Sequence, residues 1–336
     1  MEILLLHPGG LGDVILSLPA IRLLRNSFPS VRLTIAGNID HLAPIVSGYA
    51  ERVLSLSTLP LHHVYAQEEL PQADLCFWKS FDRIVSWTGS GDSEFVAKLN
   101  EVHAHACIAP WRPEPGERRH VARLFADSLG LSVPPEEGLT PARILLSSAT
   151  RKEGGRWLAG HGWNGREPLA ALHPGAGSLA KRWPSARFVA LARELAVQER
   201  RKVLIIEGPA EPGLARQIAQ ELPVPGVIRV EMVALDLLAA IVETCSVFVG
   251  NDSGLAHLAA ALQVPSVVLF GPTLPQHWAP IGPNVAVLRH ADQCEACTRS
   301  RGRHACLENI QVEEVVQRIG MALAAPRSFA RKAPGR

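Results

Sequence analysis

Four stretches of the chain carry residue types whose spacing can do chemistry. In HPGAGSLAKRWP (173–184) an apolar run ends in a loop with Gly175 and Gly177, then Ser178, Lys181 and the start of a helical pattern. Glycines let a ligand approach the backbone, successive amides form an anion nest, and Ser178 and Lys181 add a hydroxyl and a point charge. That suits a phosphate or diphosphate; a tight turn with a solvated Lys181–Arg182 pair fits the same letters. The spacing is neither a P-loop nor GxGxxG. GNDSGLAH (250–257) closes a second apolar run and opens a helix. Asp252 or Ser253 can cap that helix, whose N-terminus attracts anions. His257 falls one helical turn after Ser253, on the same face. A plain cap with a histidine packed on the sheet accounts well for Asp252-Ser253-Gly254 and less well for His257, which favours a binding site.

The third stretch, HPGGLGD (7–13), places Gly9, Gly10 and Gly12 before Asp13. GGxG is not a dinucleotide fingerprint, and Ala36-Gly37-Asn38 stands where an acidic residue would close the second strand, so a nicotinamide cofactor is disfavoured. Asp13 at a helix start is either an N-terminal cap or a general base. The fourth stretch holds Cys294, Cys297, His304 and Cys306, a CxxC and an HxC. These soft ligands suit zinc, but the halves are irregularly spaced, and a buried thiol cluster bracing a loop fits equally well. His7 and His173 read as packing or hydrogen-bonding residues at strand ends.

Positioning these loops takes strands and helices in alternation. Strand patterns run over 3–6, 31–36, 53–56, 83–86 and 104–109, with helical spacing over 14–26, 38–46 and 116–129. The alternation breaks at 147–168, rich in Gly, Trp and charge, which reads as a linker. It restarts with strands at 169–172, 202–206, 246–249 and 266–270 and helices at 184–198, 212–222, 235–243, 253–262 and 310–323. This implies parallel sheets covered on both faces, in two doubly wound α/β domains. The repeated LHPG then ends the first strand of each domain, on the side where such sheets bind ligands. The 336 residues and 47% apolar content are ample for two cores.

A net charge of +2 gives no argument for a nucleic-acid partner. The opening MEILLL has an acidic residue and is cut short by Pro8-Gly9-Gly10, so it reads as a buried strand and not a signal peptide. No apolar stretch reaches bilayer length. The expectation is a cytoplasmic protein, with peripheral contact to the inner membrane surface left open. Six cysteines make no disulfide scaffold, and Cys76, Cys107 and Cys245 read as small buried hydrophobes.

Taken together, GLGDVILSLPAIRLLRNSFP, HPGAGSLAKRWP, GNDSGLAHLAAALQVPSVVLFGPT and CEACTRSRGRHACLENIQVEEVVQRI resemble glycosyltransferase family 9, the ADP-heptose:lipopolysaccharide heptosyltransferases and their relatives. The resemblance runs from residue 3 to about 323. It implies a GT-B fold, two Rossmann-like domains facing across a cleft. Residues 1–155 would bind the acceptor and 166–310 the nucleotide-sugar donor, followed by a helix (311–325) and a disordered basic tail (326–336). It implies inverting, metal-independent transfer from a nucleotide-diphosphate sugar, ADP-heptose above all, onto a glycan or glycolipid acceptor, with no cofactor required. Asp13 falls on the family's proposed base, and Lys181 joins it as the second catalytic residue. The donor-binding set is Gly12, Gly177, Ser178, Lys181, Glu211, Asp252, Ser253, Gly254 and His257. Glu211 lies near a ribose-binding Glu, with Glu207 close enough to blur the choice.

Two features depart from the family or leave room. His7-Pro8-Gly9 stands in place of a polar-basic run, pointing to another acceptor or subfamily. LHHVY (61–65) and Arg118-Arg119-His120 suit either an anionic acceptor or a solvated surface. The rival functions are another GT-B activity, such as a different donor or an epimerase, and a non-catalytic nucleotide-sugar-binding protein.

Overall fold

The computed structural model describes residues 1–66, 69–131, 133, 139–222, 227–290 and 305–324. The chain forms two compact units, one from Met1–Ile144 with Gln276–Trp278, the other from Leu145–Pro275 and the chain from Ala279 onward.

The first unit contains β1 (Glu2–His7), α1 (Leu11–Ser27), β2 (Arg32–Gly37), α2 (Ile39–Val46), β3 (Arg52–Ser55), α3 (Leu61–Tyr65), α4 (Gln72–Lys79), β4 (Arg83–Ser86), α5 (Ser93–Val102), β5 (Ala106–Ile108) and α6 (Val121–Ser128). Its sheet is parallel, in the order β3-β2-β1-β4-β5. β1 is central, and Ile3 to Leu6 are wholly buried, as expected of a parallel strand covered on both faces. Each such side chain stabilises the unit by about 1.5–3 kcal/mol relative to exposure. The chain order reverses between β1 and β4, so the loop after β1 leaves the sheet at its switch point.

The second unit contains α7 (Ser148–Gly160), β6 (Leu169–His173), α8 (Ser185–Val197), β7 (Lys202–Glu207), α9 (Leu214–Gln220), β8 (Val227–Glu231), α10 (Leu235–Thr244), β9 (Val247–Asn251), α11 (Gly254–Ala261), β10 (Ser266–Phe270), β11 (Val285–Arg289), and two last helices at Ala305–Glu308 and Val312–Ala324. Its parallel sheet runs β11-β10-β9-β6-β7-β8. β6, β9 and β10 are buried at every residue, whereas the edge strands β8 and β11 are only partly covered. The switch point lies between β6 and β9, where His173 pairs in register with Gly250.

Two expectations are corrected. The stretch read as a linker holds α7, capped by Ser147, whose Oγ accepts from the Thr150 N–H at 3.0 Å. Gly154 lets α7 press against α10: a Cβ there would sit 2.6 Å from the Ala240 methyl, and Arg151 grips Glu243 through two bonds of 2.7 and 2.8 Å. A Gly-Gly pair depresses helix propensity, but close packing overrides it. Cys76 is exposed and Cys107 half-buried; of the three cysteines read as hydrophobes only Cys245 is buried. In α4 the inward position goes to the larger Trp78, which is fully buried.

Candidate active site

In the second unit the switch point is built from the loop after β6 and the turn after β9. Asn251 ends β9 with no exposure and ties the loop at both ends. Its Nδ2 donates to the Pro174 and Gly175 carbonyls at 2.9 and 3.1 Å, and its Oδ1 accepts from the Trp183 N–H at 2.9 Å. Trp183 is anchored in turn by its indole N–H on the Ile310 carbonyl. Between these ties Gly177, Ser178 and Leu179 are exposed, and a turn of 3-10 helix brings Lys181 round. Lys181 Nζ donates to Asp252 Oδ2 at 2.8 Å, and the same oxygen accepts from Thr273 Oγ1 at 2.5 Å. An anion meeting this loop therefore faces an ammonium whose direction is set by a carboxylate 71 residues away in the chain.

The two glycines of the loop do different work. A Cβ on Gly177 would meet nothing within 4 Å, so that face is open to a ligand. A Cβ on Gly175 would lie 2.0 Å from Glu211 Oε1, so the close approach there is made by a protein carboxylate. Glu211 is buried, accepts the Gly208 N–H at 2.8 Å and pairs with Arg182, which also donates to the Ala176 and Ala210 carbonyls. Arg182 is thus a brace of the loop. His173 lies 3.9 Å from the same carboxylate, and burial lowers its pKa below the ordinary histidine value. Glu207 accepts the Ala215 N–H at 2.9 Å at the start of α9, so only Glu211 meets the loop.

At α11 the expected capping does not occur. Ser253 is the N-cap residue, yet its side chain makes no capping bond; its Oγ is inaccessible to solvent and without a hydrogen-bond partner. Asp252 turns instead to Lys181 and Thr273. Gly254 opens the helix, and His257 is buried one turn further on. The helix N-terminus, with its positive dipole end, emerges beside the Lys181–Asp252 pair.

In the first unit Asp13 occupies the third position of α1, where it reaches back to accept the Gly10 N–H at 3.0 Å. This is the carboxylate half of a capping box. Asp13 and Gly12 are half-buried. His7 closes β1 with 1% exposure, packs edge-on to Trp87 at 5.2 Å and accepts the Gly9 N–H on Nδ1 at 3.1 Å. Burial lowers its pKa to about 4, against an opposing contribution from the Asp13 backbone, so the ring is neutral near pH 7.

Of the basic residues considered for an anionic acceptor, Arg119 is engaged by Glu117 and Asp127, both at 2.6 Å, and its hydrogen bonds hold the Glu117 carboxyl down at about 2. His120 caps α6 through the Ala122 N–H. In LHHVY, His63 pairs with Asp74 at 2.5 Å. Cys294, Cys297 and His304 lie outside the described residues; Cys306 is buried.

Sequence reasoning passed over Asn251 and Thr273. Asn251 stood inside the quoted GNDSG, but its task depends on the β6–β9 pairing; Thr273 follows β10, whose place beside β9 no local pattern reveals.

Two parallel α/β units with loop-built sites at their switch points define the GT-B class, and solved structures bear this out. An Escherichia coli ADP-heptose lipopolysaccharide heptosyltransferase II superposes with a TM-score of 0.76 at 19% identity, covering 96% of this chain and 98% of its own. A family 9 glycosyltransferase from Veillonella parvula gives 0.78 at 20%, over 96% and 97%. In sequence, lipooligosaccharide heptosyltransferase 2 of Haemophilus influenzae is 25% identical, across 96% of this chain and all of the relative. The family model of glycosyltransferase family 9 (heptosyltransferase) matches residues 114–307. The chain belongs to that family and is a glycosyltransferase.

Proposed function

We propose that this enzyme transfers a heptose from ADP-heptose to a lipopolysaccharide-core acceptor, with inversion and without a metal ion. The observation that carries the reading is the Lys181–Asp252–Thr273 cluster beside the exposed Gly177–Ser178–Leu179 stretch of the loop and the N-terminus of α11. The second unit holds the donor. Loop amides around Gly177 and Ser178 and the Gly254 end of α11 receive the diphosphate, with His257 beneath. Glu211, buried against the loop, is the nearer carboxylate for the ribose. An ammonium has three N–H donors, so Lys181 keeps capacity for phosphate oxygens while bound to Asp252.

The first unit holds the acceptor, with Gly12 and Asp13 at its switch point. The acceptor hydroxyl attacks the anomeric carbon as the bond to the diphosphate breaks from the opposite face. Asp13 takes the hydroxyl proton, and ADP leaves with the bonding electron pair. Lys181 and the fixed dipoles stabilise the charge growing on the leaving group. Asp252, a carboxylate that would suit a divalent cation, is matched by Lys181 and Thr273, which favours transfer without a metal. No helix among the described residues is long and apolar enough to cross a membrane. We place the reaction at the cytoplasmic face of the inner membrane, where a glycolipid acceptor is within reach.

Transfer from ADP-heptose to lipopolysaccharide of a heptose-deficient strain tests this. Asp13→Asn should lower kcat by roughly 10²–10⁴-fold with ADP affinity little changed. Lys181→Ala should weaken ADP binding and turnover together, and EDTA should leave turnover intact. Near-normal transfer by Asp13→Asn removes the base assignment; loss of transfer in EDTA, restored by a divalent cation, removes metal independence.

A further inference from the structure

The proposed reaction leaves one part of the repeated HPG unused, its histidine. His7 and His173 each end the first strand of a parallel sheet, and both are buried. In each copy a carboxylate is pressed against the glycine two residues on. A Cβ on Gly9 would lie 2.9 Å from Asp13 Oδ2, and one on Gly175 would lie 2.0 Å from Glu211 Oε1. The motif is thus a seat for a carboxylate in both units, although the carboxylate comes from the next helix in one and from the β7 loop in the other.

The two rings are wired differently. His173 Nδ1 faces the Ile206 carbonyl at 3.1 Å, so that nitrogen carries the proton. His7 Nδ1 receives the Gly9 N–H at 3.1 Å, so that nitrogen is bare. Ring and carboxylate are neighbours in both copies, but only in the first does the ring accept a loop N–H beside the amide that holds the carboxylate. His7 Cε1 and Asp13 Oδ2 converge on the same point, 2.8 and 2.9 Å from the Gly9 Cβ position. One peptide further on, the Gly10 N–H holds Asp13 Oδ2 at 3.0 Å. Trp87 and Phe125 pack against the buried ring, at 5.2 and 5.6 Å.

We propose that His7 is the positioning residue for Asp13. Its Nδ1 orients the Gly9 peptide so that the next amide, that of Gly10, holds the carboxylate in the rotamer used for proton transfer. The inference rests on the reading of Asp13 as the base. Its physical content is directional: what is required at position 7 is an acceptor atom at the place of Nδ1, and an acceptor elsewhere on a side chain of similar polarity does not serve.

Asparagine and glutamine separate these possibilities, because an Asn carbonyl oxygen reaches the place of Nδ1 and a Gln oxygen reaches that of Nε2. The full-length His7→Asn, His7→Gln, His7→Leu and Asp13→Asn proteins are compared for kcat and donor KM with ADP-heptose and lipopolysaccharide of a heptose-deficient strain. ADP affinity by calorimetry and the melting temperature are measured alongside. His7→Gln and His7→Leu should lose about tenfold or more in kcat, the cost of a displaced base, with donor KM and ADP affinity unchanged. His7→Asn should recover most of that loss. Equal kcat for His7→Asn and His7→Gln overturns the proposal, and this comparison decides even where His7→Leu does not fold. Full activity in a folded His7→Leu with an inactive Asp13→Asn also overturns it and leaves the base assignment standing; an active Asp13→Asn removes both.

Discussion

Replacing Gly175 by alanine is the sharpest test of how the second-unit loop is held. The added Cβ would stand 2.0, 2.1 and 2.6 Å from Glu211 Oε1, Cδ and Oε2, so the carboxyl group must retreat by well over an ångström. It has nowhere inexpensive to go. Its side chain is 3% exposed and holds the Gly208 N–H at 2.8 Å. Losing one charge-assisted bond costs about 1.5–3 kcal/mol and overpacking about 1–3 kcal/mol, giving a destabilisation of about 3–5 kcal/mol. Gly175 is not among the described glycines with positive φ, so the cost is steric. Gly177→Ala is the internal control. Its Cβ meets nothing within 4 Å, so stability should change by less than about 0.5 kcal/mol while ADP affinity falls. In calorimetry Gly175→Ala should lower the melting transition of the second unit by roughly 10 °C. Removing Glu211 removes the clash, so Gly175→Ala with Glu211→Ala should be little worse than Glu211→Ala alone. Additive effects, or equal melting of the two glycine variants, would refute the reasoning.

Two further outcomes follow from buried groups. Asn251→Ala leaves the Trp183 N–H and the Pro174 and Gly175 carbonyls unpaired, and should cost about 3 kcal/mol in urea unfolding and weaken ADP binding; a loss under about 1 kcal/mol would contradict the tie described for the loop. The His7 pKa, lowered from 6.5 to about 4, means that the unfolded chain binds this proton first as pH falls. Stability is therefore lost between about pH 6.5 and 4, by about 3 kcal/mol from this group, and wild type and His7→Asn should diverge over that window; parallel curves would show that the ring is not buried neutral.

Much of the fold was legible because it is locally written. Fully buried strands such as Leu169–His173 and Ser266–Phe270 hold apolar runs, broken only by the terminal His173 and Ser266 and bounded by Gly and Pro, and the helices between them keep their period. The edge strands of the second sheet were not legible, unlike those of the first: Val227–Glu231 alternates apolar residues with Arg229 and Glu231 because one face meets solvent. α7 was hidden by the Gly154-Gly155 pair, whose use becomes apparent only against Ala240. At the site, the loops carrying Asp13, Lys181 and Asp252 could be picked out by their punctuation, but the partners of those residues could not. Ser253 had the letters of a cap and does not cap.

Residue type and period alone specify two α/β units, the strand-end loops of the candidate site, and the candidates Asp13, Lys181 and Asp252. Tertiary structure decides what each of them touches. β6 and β9 become neighbours only through sheet order, and that brings Lys181 onto Asp252 across 71 residues and lets Asn251 close the loop. The same packing assigns Gly175 to a carboxylate and leaves Gly177 open, and separates Glu211 from Glu207. The reason is physical. Local propensity and periodicity act over a few residues, whereas strand pairing and steric exclusion act between segments whose separation along the chain sets no limit on their contact.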